Sequence, residues 1–266
     1  LQKDHDNTVD SLMFFRSRLL DLFLGDWDRH NDQWRWADVK KGSDKRYEPV
    51  PRDRDQVFHL TEGFIPRAAS RPWVAPFLHH FDGRIRNVNA FYFSSRDLNS
   101  RFLNQLDETS WNTLTASFIA AITDSILETA LQKLPAAAYQ LRHDMLLRTW
   151  QQRRANLAPA MQEYYRFLNR IVDLPFTDKN ELIIIDDAGQ DGLKISAYKL
   201  SAQQKIKECL YTRVFDATVT EEVRIFTGNG EDSIVFNAQH SGIRLRITGG
   251  IGKTFYHATT SGKKIQ

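Results

Sequence analysis

Apolar residues recur at helical spacing from Asp10 to about Leu24, where Leu12, Phe15, Leu19, Leu20 and Phe23 mark one face with Arg16 and Arg18 between them. Asp10 or Ser11 supplies an oxygen to cap the first turn, and Gly25 supplies a stop. The pattern then changes to the alternation of a strand at Gln33-Trp34-Arg35-Trp36. A polar turn, Lys40-Lys41-Gly42-Ser43-Asp44, leads into a second extended run from Tyr47 to Phe58, interrupted by Pro49 and Pro51. These features predict a helix followed by a β-hairpin whose open end carries two acidic clusters.

Residues 59–93 carry no clear period and hold Pro66, Pro72 and Pro76 among scattered aromatics. From Arg96 to Asp173 the pattern is helical almost throughout. Leu98/Phe102, Trp111/Leu114/Phe118, Ile122/Ile126 and Tyr164/Phe167/Leu168/Ile171 mark successive faces, and Pro135 separates two helices. Such stripes are the signature of core, not of a cofactor site. After Pro175 the chain becomes β-rich. Glu181–Asp187 and Leu193–Leu200 flank Gly189-Gln190-Asp191-Gly192, a hairpin signal. The expected boundary lies near 174–180, giving a helical domain over 1–174 and a β-rich region over 175–266.

That region contains a repeat offset by 22 residues: Val223-Arg224-Ile225 matches Leu245-Arg246-Ile247, and Gly228 and Gly230 match Gly250 and Gly252. Strand, glycine turn and second strand in each copy predict solenoid-like packing. Thr227-Gly228-Asn229-Gly230-Glu231-Asp232 is similar to a calcium-binding nonapeptide. The second copy has Thr254 where the ligating Asp would stand, and calcium needs several oxygens, so calcium is not expected.

Composition narrows the function classes. The charged and hydrophobic fractions, 26% and 41%, are those of an ordinary globular domain. A net charge of +3, with acidic and basic residues interspersed, gives no footprint for nucleic acid. The single Cys209 excludes an internal disulfide framework and a cysteine zinc site. No apolar run approaches the ~18 residues of a membrane span. The chain opens with Leu1 directly into a polar stretch and a helix, which suggests a piece of a larger parent protein with other domains.

The informative stretch is Gly25-Asp26-Trp27-Asp28-Arg29-His30-Asn31-Asp32-Gln33, followed by Pro51-Arg52-Asp53-Arg54-Asp55-Gln56. Converging carboxylates raise each other's pKa unless cations neutralise them. The cluster is therefore either braced by its arginines or built around a divalent ion, and all-oxygen ligands favour Mg²⁺ or Mn²⁺ over zinc. Other groups weigh less. His79 and His80 near Asp82, and His143 with Asp144 among Arg142, Arg148, Arg153 and Arg154, read as surface or packing groups. Trp27, Trp34 and Trp36 are explained by packing against the first helix as well as by base stacking.

Helix, glycine, Asp-Arg-His, hairpin and then an Asp-containing motif is the order found in atypical kinases. Asp28-Arg29-His30-Asn31-Asp32-Gln33 resembles the D-R-H-x-x-N catalytic loop of phosphoinositide lipid kinases, with relatives in HipA-type, secreted protein and CotH-type kinases. Gln33 stands where the family has Asn. Asp53 followed five residues later by Phe58 fits the motif that replaces D-F-G, and Asp55 would lie on the same face of an extended segment. The resemblance implies an α+β fold with a kinase C-lobe-like helical domain and a catalytic hairpin. It also implies ATP as phosphoryl donor, Asp28 as the catalytic carboxylate braced by Arg29 and His30, and Mg²⁺ or Mn²⁺ on Asp53, Gln33 and Asp55. The acceptor would be a hydroxyl on a protein or small molecule.

The resemblance covers roughly residues 10–60. No Gly-rich loop and no nucleotide-binding lysine strand precede the first helix, so the expectation is an N-lobe upstream or a lost ATP site. The arrangement is also similar to segments of large Gram-negative envelope proteins, which points to the cell envelope or periplasm. There the rival expectation is a non-catalytic kinase-like scaffold. No phosphoesterase G-D-x-x-D or G-N-H-D signature is present.

Overall fold

The computed structural model describes residues 7–41, 44–61, 63–64, 68, 71, 74–75, 77–201 and 203–258. Gly42 and Ser43 of the expected turn, with Pro66, Pro72 and Pro76, lie outside them.

Helix α1 spans Ser11–Leu24 and forms the axis of the helical part. Asp10 Oδ1 accepts from the Met13 N–H at 2.9 Å, satisfying one of the helix's orphan donors. Gly25 closes it at φ 75°, a left-handed conformation that costs glycine little. The buried face is rotated from the expected one. Phe14, Phe15, Leu19 and Leu22 are fully buried, while Leu12 is 46% exposed. Arg18 and Asp21 are buried on the same face because they pair with each other at 2.6 Å.

Before α1, β1 (Asn7–Val9) runs parallel to β3 (Asp44–Pro51), which is antiparallel to β2 (Trp34–Lys41). Trp34 pairs with Pro51, so the segments on either side, 26–33 and 52–58, meet at the open end. The second strand ends at Pro51, not at Phe58. Asp53 and Phe58 both take positive φ, 55° and 59°, which no strand residue adopts.

Among the described residues the helices with defined bounds that follow are α2 (Val88–Phe91), α3 (Arg96–Leu103), α4 (Glu108–Ala121), α5 (Asp124–Leu131) and α6 (Ala136–Asn169). Phe102, Leu103, Trp111, Leu157, Met161 and Tyr164 close around α1. Pro159 sits inside α6 without ending it. It lies on the exposed face, where water can satisfy the carbonyl that its missing N–H leaves free. Arg153 of α6 is buried and donates to the carbonyls of Leu22 at 2.5 Å and Phe23 at 2.9 Å, the orphan acceptors at the end of α1. Burial lowers its pKa to about 10, so it remains a cation there. Among the described residues no single helix is long and apolar enough to cross a membrane.

The β-rich part begins at Ile171, a little before the expected boundary. Its strands are β4 (Ile171–Pro175), β5 (Glu181–Ala188), β6 (Gly192–Leu200), β7 (Ile206–Phe215), β8 (Glu222–Phe226), β9 (Asp232–Phe236), β10 (Arg244–Thr248) and β11 (Thr254–Ala258). β5 and β6 form the predicted hairpin, extended by β7. The strand–turn–strand units β4/β5, β8/β9 and β10/β11 lie in parallel register. Val172, Val223 and Leu245 form one column, and Ile183, Ile234 and Tyr256 another. The 22-residue repeat is therefore a pairing register. Its glycines allow the turns to touch: a Cβ on Gly228 would lie 1.9 Å from the Thr177 carbonyl oxygen, and one on Gly250 would lie 1.8 Å from that of Gly228. Arg213 joins the two parts, donating to the Asn104 carbonyl at 2.5 Å and to Asn169 Oδ1 at 2.7 Å. The fold is mixed α+β with several sheets, none of them closed.

Candidate functional site

The loop after α1 is held from inside. Arg29 is fully buried, and its guanidinium reaches Asp26 Oδ2 at 2.5 Å, Asp21 Oδ2 at 3.2 Å and Gln33 Oε1 at 3.5 Å. It also donates to the Arg52 carbonyl oxygen. Ser95 Oγ donates to the Arg29 carbonyl, and Ser94 Oγ donates to that of Trp27 at 3.3 Å. The Arg52 N–H returns to the Gln33 carbonyl at 2.8 Å, and the Phe58 N–H to that of Leu24 at 3.2 Å. One buried cation thus ties together the end of α1, the loop and the segment beyond β3.

On this base the residues alternate between outward and inward. Asp28 is half-buried, Asp53 and Asp55 are exposed, and Arg54 turns inward to Asp21 Oδ1 at 2.5 Å, with Asp26 Oδ2 at 3.8 Å. Burial raises the Asp28 pKa, and the charges of Asp55 and Asp53 raise it further, while His30 and Arg29 oppose them. The charges of Asp53 and Asp55 thus act on Asp28 electrostatically. Beneath it, burial and the neighbouring Asp21 push Asp26 up to about 6 against the pull of Arg29, Arg54 and Arg18.

Gln33 is set apart from that group. It is buried with its amide oxygen toward Arg29, within the brace. His30 precedes a single 3₁₀ turn, Asn31–Gln33, that carries the loop into β2. Among the described residues no three His, Cys, Asp or Glu side chains form a cage for a metal ion. Mg²⁺ needs no such cage, because it keeps waters and binds through one or two carboxylates plus substrate phosphates. The exposed pair Asp53 and Asp55 fits that donor set.

The tryptophans pack. Trp34 lies 4.8 Å from Phe14, Trp36 lies 5.0 Å from Phe102, and Trp27 meets Phe77 and His59. His80 Nδ1 faces the Thr61 N–H at 3.0 Å, and Asp82 pairs with Arg86 at 2.5 Å. His143 lies between Glu128 and Asp144, Arg153 is internal, and Arg154 pairs with Asp124. Of the four arginines around His143, Arg153 and Arg154 are thus engaged, while Arg142 and Arg148 are exposed.

Sequence reasoning included Arg54 among the arginines of the acidic stretch but did not identify Asp21, Arg18, Ser94 or Ser95 as parts of the site. The only available signal was Arg18 and Asp21, opposite charges three residues apart within an apolar helix. Cavities among the described residues lie away from Asp28, the second reaching the site only at Phe58. One of about 200 Å³ is lined by Val9, Phe102, Glu181 and Tyr211, and one of about 250 Å³ by Phe58, Leu60, Phe81 and Arg142. Comparison of the chain with protein-family models, curated proteins and solved structures returns no match.

Proposed function

We propose that the loop 26–33 and the segment 52–58 form the metal-phosphate half of an atypical kinase-like centre, within a helical part comparable to a kinase C-lobe. Its reaction is phosphoryl transfer from Mg-ATP to a hydroxyl of a protein or small molecule. The observation that carries the reading is Asp28. It is a half-buried carboxylate of raised pKa beside Asp53 and Asp55, on a loop fixed by buried Arg29.

In this reading the hydroxyl proton passes to Asp28 as the acceptor oxygen bonds to the γ-phosphorus and the bond to the ADP oxygen breaks. A raised pKa makes Asp28 the better proton acceptor. Mg²⁺ would neutralise charge on the phosphates, and Asp53 and Asp55 are the groups that would hold it. Arg29 keeps the loop from moving, which suits catalysis by positioning. Asp53 and Phe58 support the reading too, since non-glycine residues in left-handed conformations cost about 1–3 kcal/mol each and concentrate at functional sites. The β-rich part is read as a short solenoid-like stack, a surface suited to contacts with other domains or partners.

A second reading is a kinase-like scaffold without catalysis. It is favoured by the protein-only satisfaction of the Arg29, Asp21, Asp26 and Arg54 network. Labelled ATP with Mg²⁺ and the protein, together with any sequence that flanks it, tests the choice. Transfer should be seen in wild type and fall by about 10²–10⁴ in Asp28→Asn, with Asp53→Asn weakening nucleotide binding. Absence of transfer and of nucleotide binding in wild type would leave the scaffold.

A further inference from the structure

We infer that Arg54 is a positioning residue for the two carboxylates that flank it: pinned to Asp21 beneath the loop, it fixes the turn that holds Asp53 and Asp55 beside Asp28. The role of those carboxylates rests on the function proposed above. The positioning itself rests on geometry alone.

Segment 52–55 has two anchors. The first is the backbone of residue 52, whose N–H reaches the Gln33 carbonyl at 2.8 Å and whose carbonyl accepts from Arg29. The second is the Arg54 side chain, three-quarters buried, with Nη1 2.5 Å from Asp21 Oδ1 and 3.8 Å from Asp26 Oδ2. Both acceptors are fully buried on the floor of the loop. Asp53 lies between the anchors at φ 55°, in the left-handed region that Asp enters more readily than most residues. With Arg54 held inward, its neighbours at 53 and 55 are exposed. Three carboxylates brought together repel one another. Without the second anchor, the nearest hold on Asp55 is the Phe58 N–H to the Leu24 carbonyl three residues on, and its only described side-chain hydrogen bond is to neighbouring Gln56.

The test uses the 266-residue chain with Arg54→Met, and with Arg54→Lys as the conservative rescue. Three quantities are measured: Mn²⁺ affinity by electron paramagnetic resonance, amide hydrogen exchange over 52–56, and the melting curve. Arg54→Met should lose roughly tenfold or more in Mn²⁺ affinity, the usual scale for groups that orient ligands. Exchange at 53–56 should speed up while α1 stays protected, and Arg54→Lys should recover most of both. If Met at 54 prevents folding, Arg54→Gln, which keeps a donor without charge, replaces it with the same expectation. Wild-type exchange at 53–56 in a folded neutral variant would overturn the inference. Wild-type protein that binds no Mn²⁺ would instead sink the metal-phosphate reading, and the exchange data would still decide the role of Arg54.

Discussion

Asp232 lies one turn of the stack beyond Glu181, and its Oδ1 accepts the Glu181 backbone N–H at 2.9 Å. Both side chains are fully buried, Glu181 Oε1 accepts from the Thr177 N–H and hydroxyl, and the Asp232 charge acts on the Glu181 carboxyl. Two carboxylates so placed cannot both ionise at neutral pH, and burial pushes Glu181 up to about 8. The folded chain therefore holds a proton that the unfolded chain releases above the ordinary glutamate range. Because the folded state binds more protons, stability should fall as pH rises from about 4.5 to 8, then level off. Glu181→Gln should remove most of that slope. Urea midpoints from pH 5 to 8.5 check it. A Gln variant that keeps the wild-type slope would show that the proton resides elsewhere, with Asp26 the next candidate.

The brace and the carboxylate it supports should respond oppositely to substitution. Arg29→Met strands Asp21 and Asp26 in the interior with Arg18 and Arg54 as their remaining cations. Breaking a buried pair from one side costs about 3–5 kcal/mol. Asp28→Asn relieves repulsion at a half-exposed position, where solvent screens most of the effect, so stability should stay level or rise by at most about 1 kcal/mol. Denaturant melts of the two variants measure the contrast. Equal losses would mean that Asp28 belongs to the structural network.

Much of the architecture could be read from local periods. The α1 helix, its Asp10 and Gly25 caps, the β5–β6 hairpin and the 22-residue repeat all depend on residues close in sequence or on identical spacing. What escaped detection depends on partners far along the chain. Arg153 and Arg213 look like surface charges until the end of α1 and residues 104 and 169 supply their acceptors. The short β1 strand has no period of its own and exists through pairing with β3. The acidic cluster was legible, but Gln33 was not separable from it. Its turn toward Arg29 follows from where the 3₁₀ segment Asn31–Gln33 delivers the side chain.

The glycine turns give a sharper test of the stack. Gly250→Ala would put a methyl carbon against the Gly228 carbonyl, a clash with backbone that cannot rotate away. The two turns must separate, weakening the β8–β10 and β9–β11 pairings. The expected loss is at least about 2 kcal/mol. Gly189→Ala meets nothing within 4 Å, so only its positive φ of 53° costs, about 1 kcal/mol. Thermal melts of the pair should rank Gly250→Ala well below Gly189→Ala.

Calcium should leave the chain's stability unchanged. The carboxylate that a calcium turn would use, Asp232, is buried and bonded to Glu181, and the equivalent position one turn later is Thr254. Melting with millimolar calcium and with chelator should agree within error. A calcium-dependent rise would require binding to the folded state alone and would place ligands outside the described turns.

The last expectation concerns Asp53, where backbone strain and proposed chemistry can be separated. Its φ of 55° is one that Asp and Asn tolerate, glycine adopts freely and β-branched residues resist. Asp53→Gly should hold stability or raise it by up to about 1 kcal/mol, because relief of strain offsets the added freedom of the unfolded chain. Asp53→Asn should be close to neutral, and Asp53→Val should cost about 1–2 kcal/mol. If the residue is only a turn former, Mn²⁺ affinity will be unaffected by any of the three changes, or absent throughout. If its carboxylate holds a metal, Gly and Asn should weaken binding alike despite their different side chains, because both lose the charge that a hard cation requires. Urea denaturation beside Mn²⁺ titration of the four proteins supplies both axes. A protein with glycine at 53, as stable as wild type yet unable to bind Mn²⁺, would show the left-handed turn retained for its carboxylate and not for the fold.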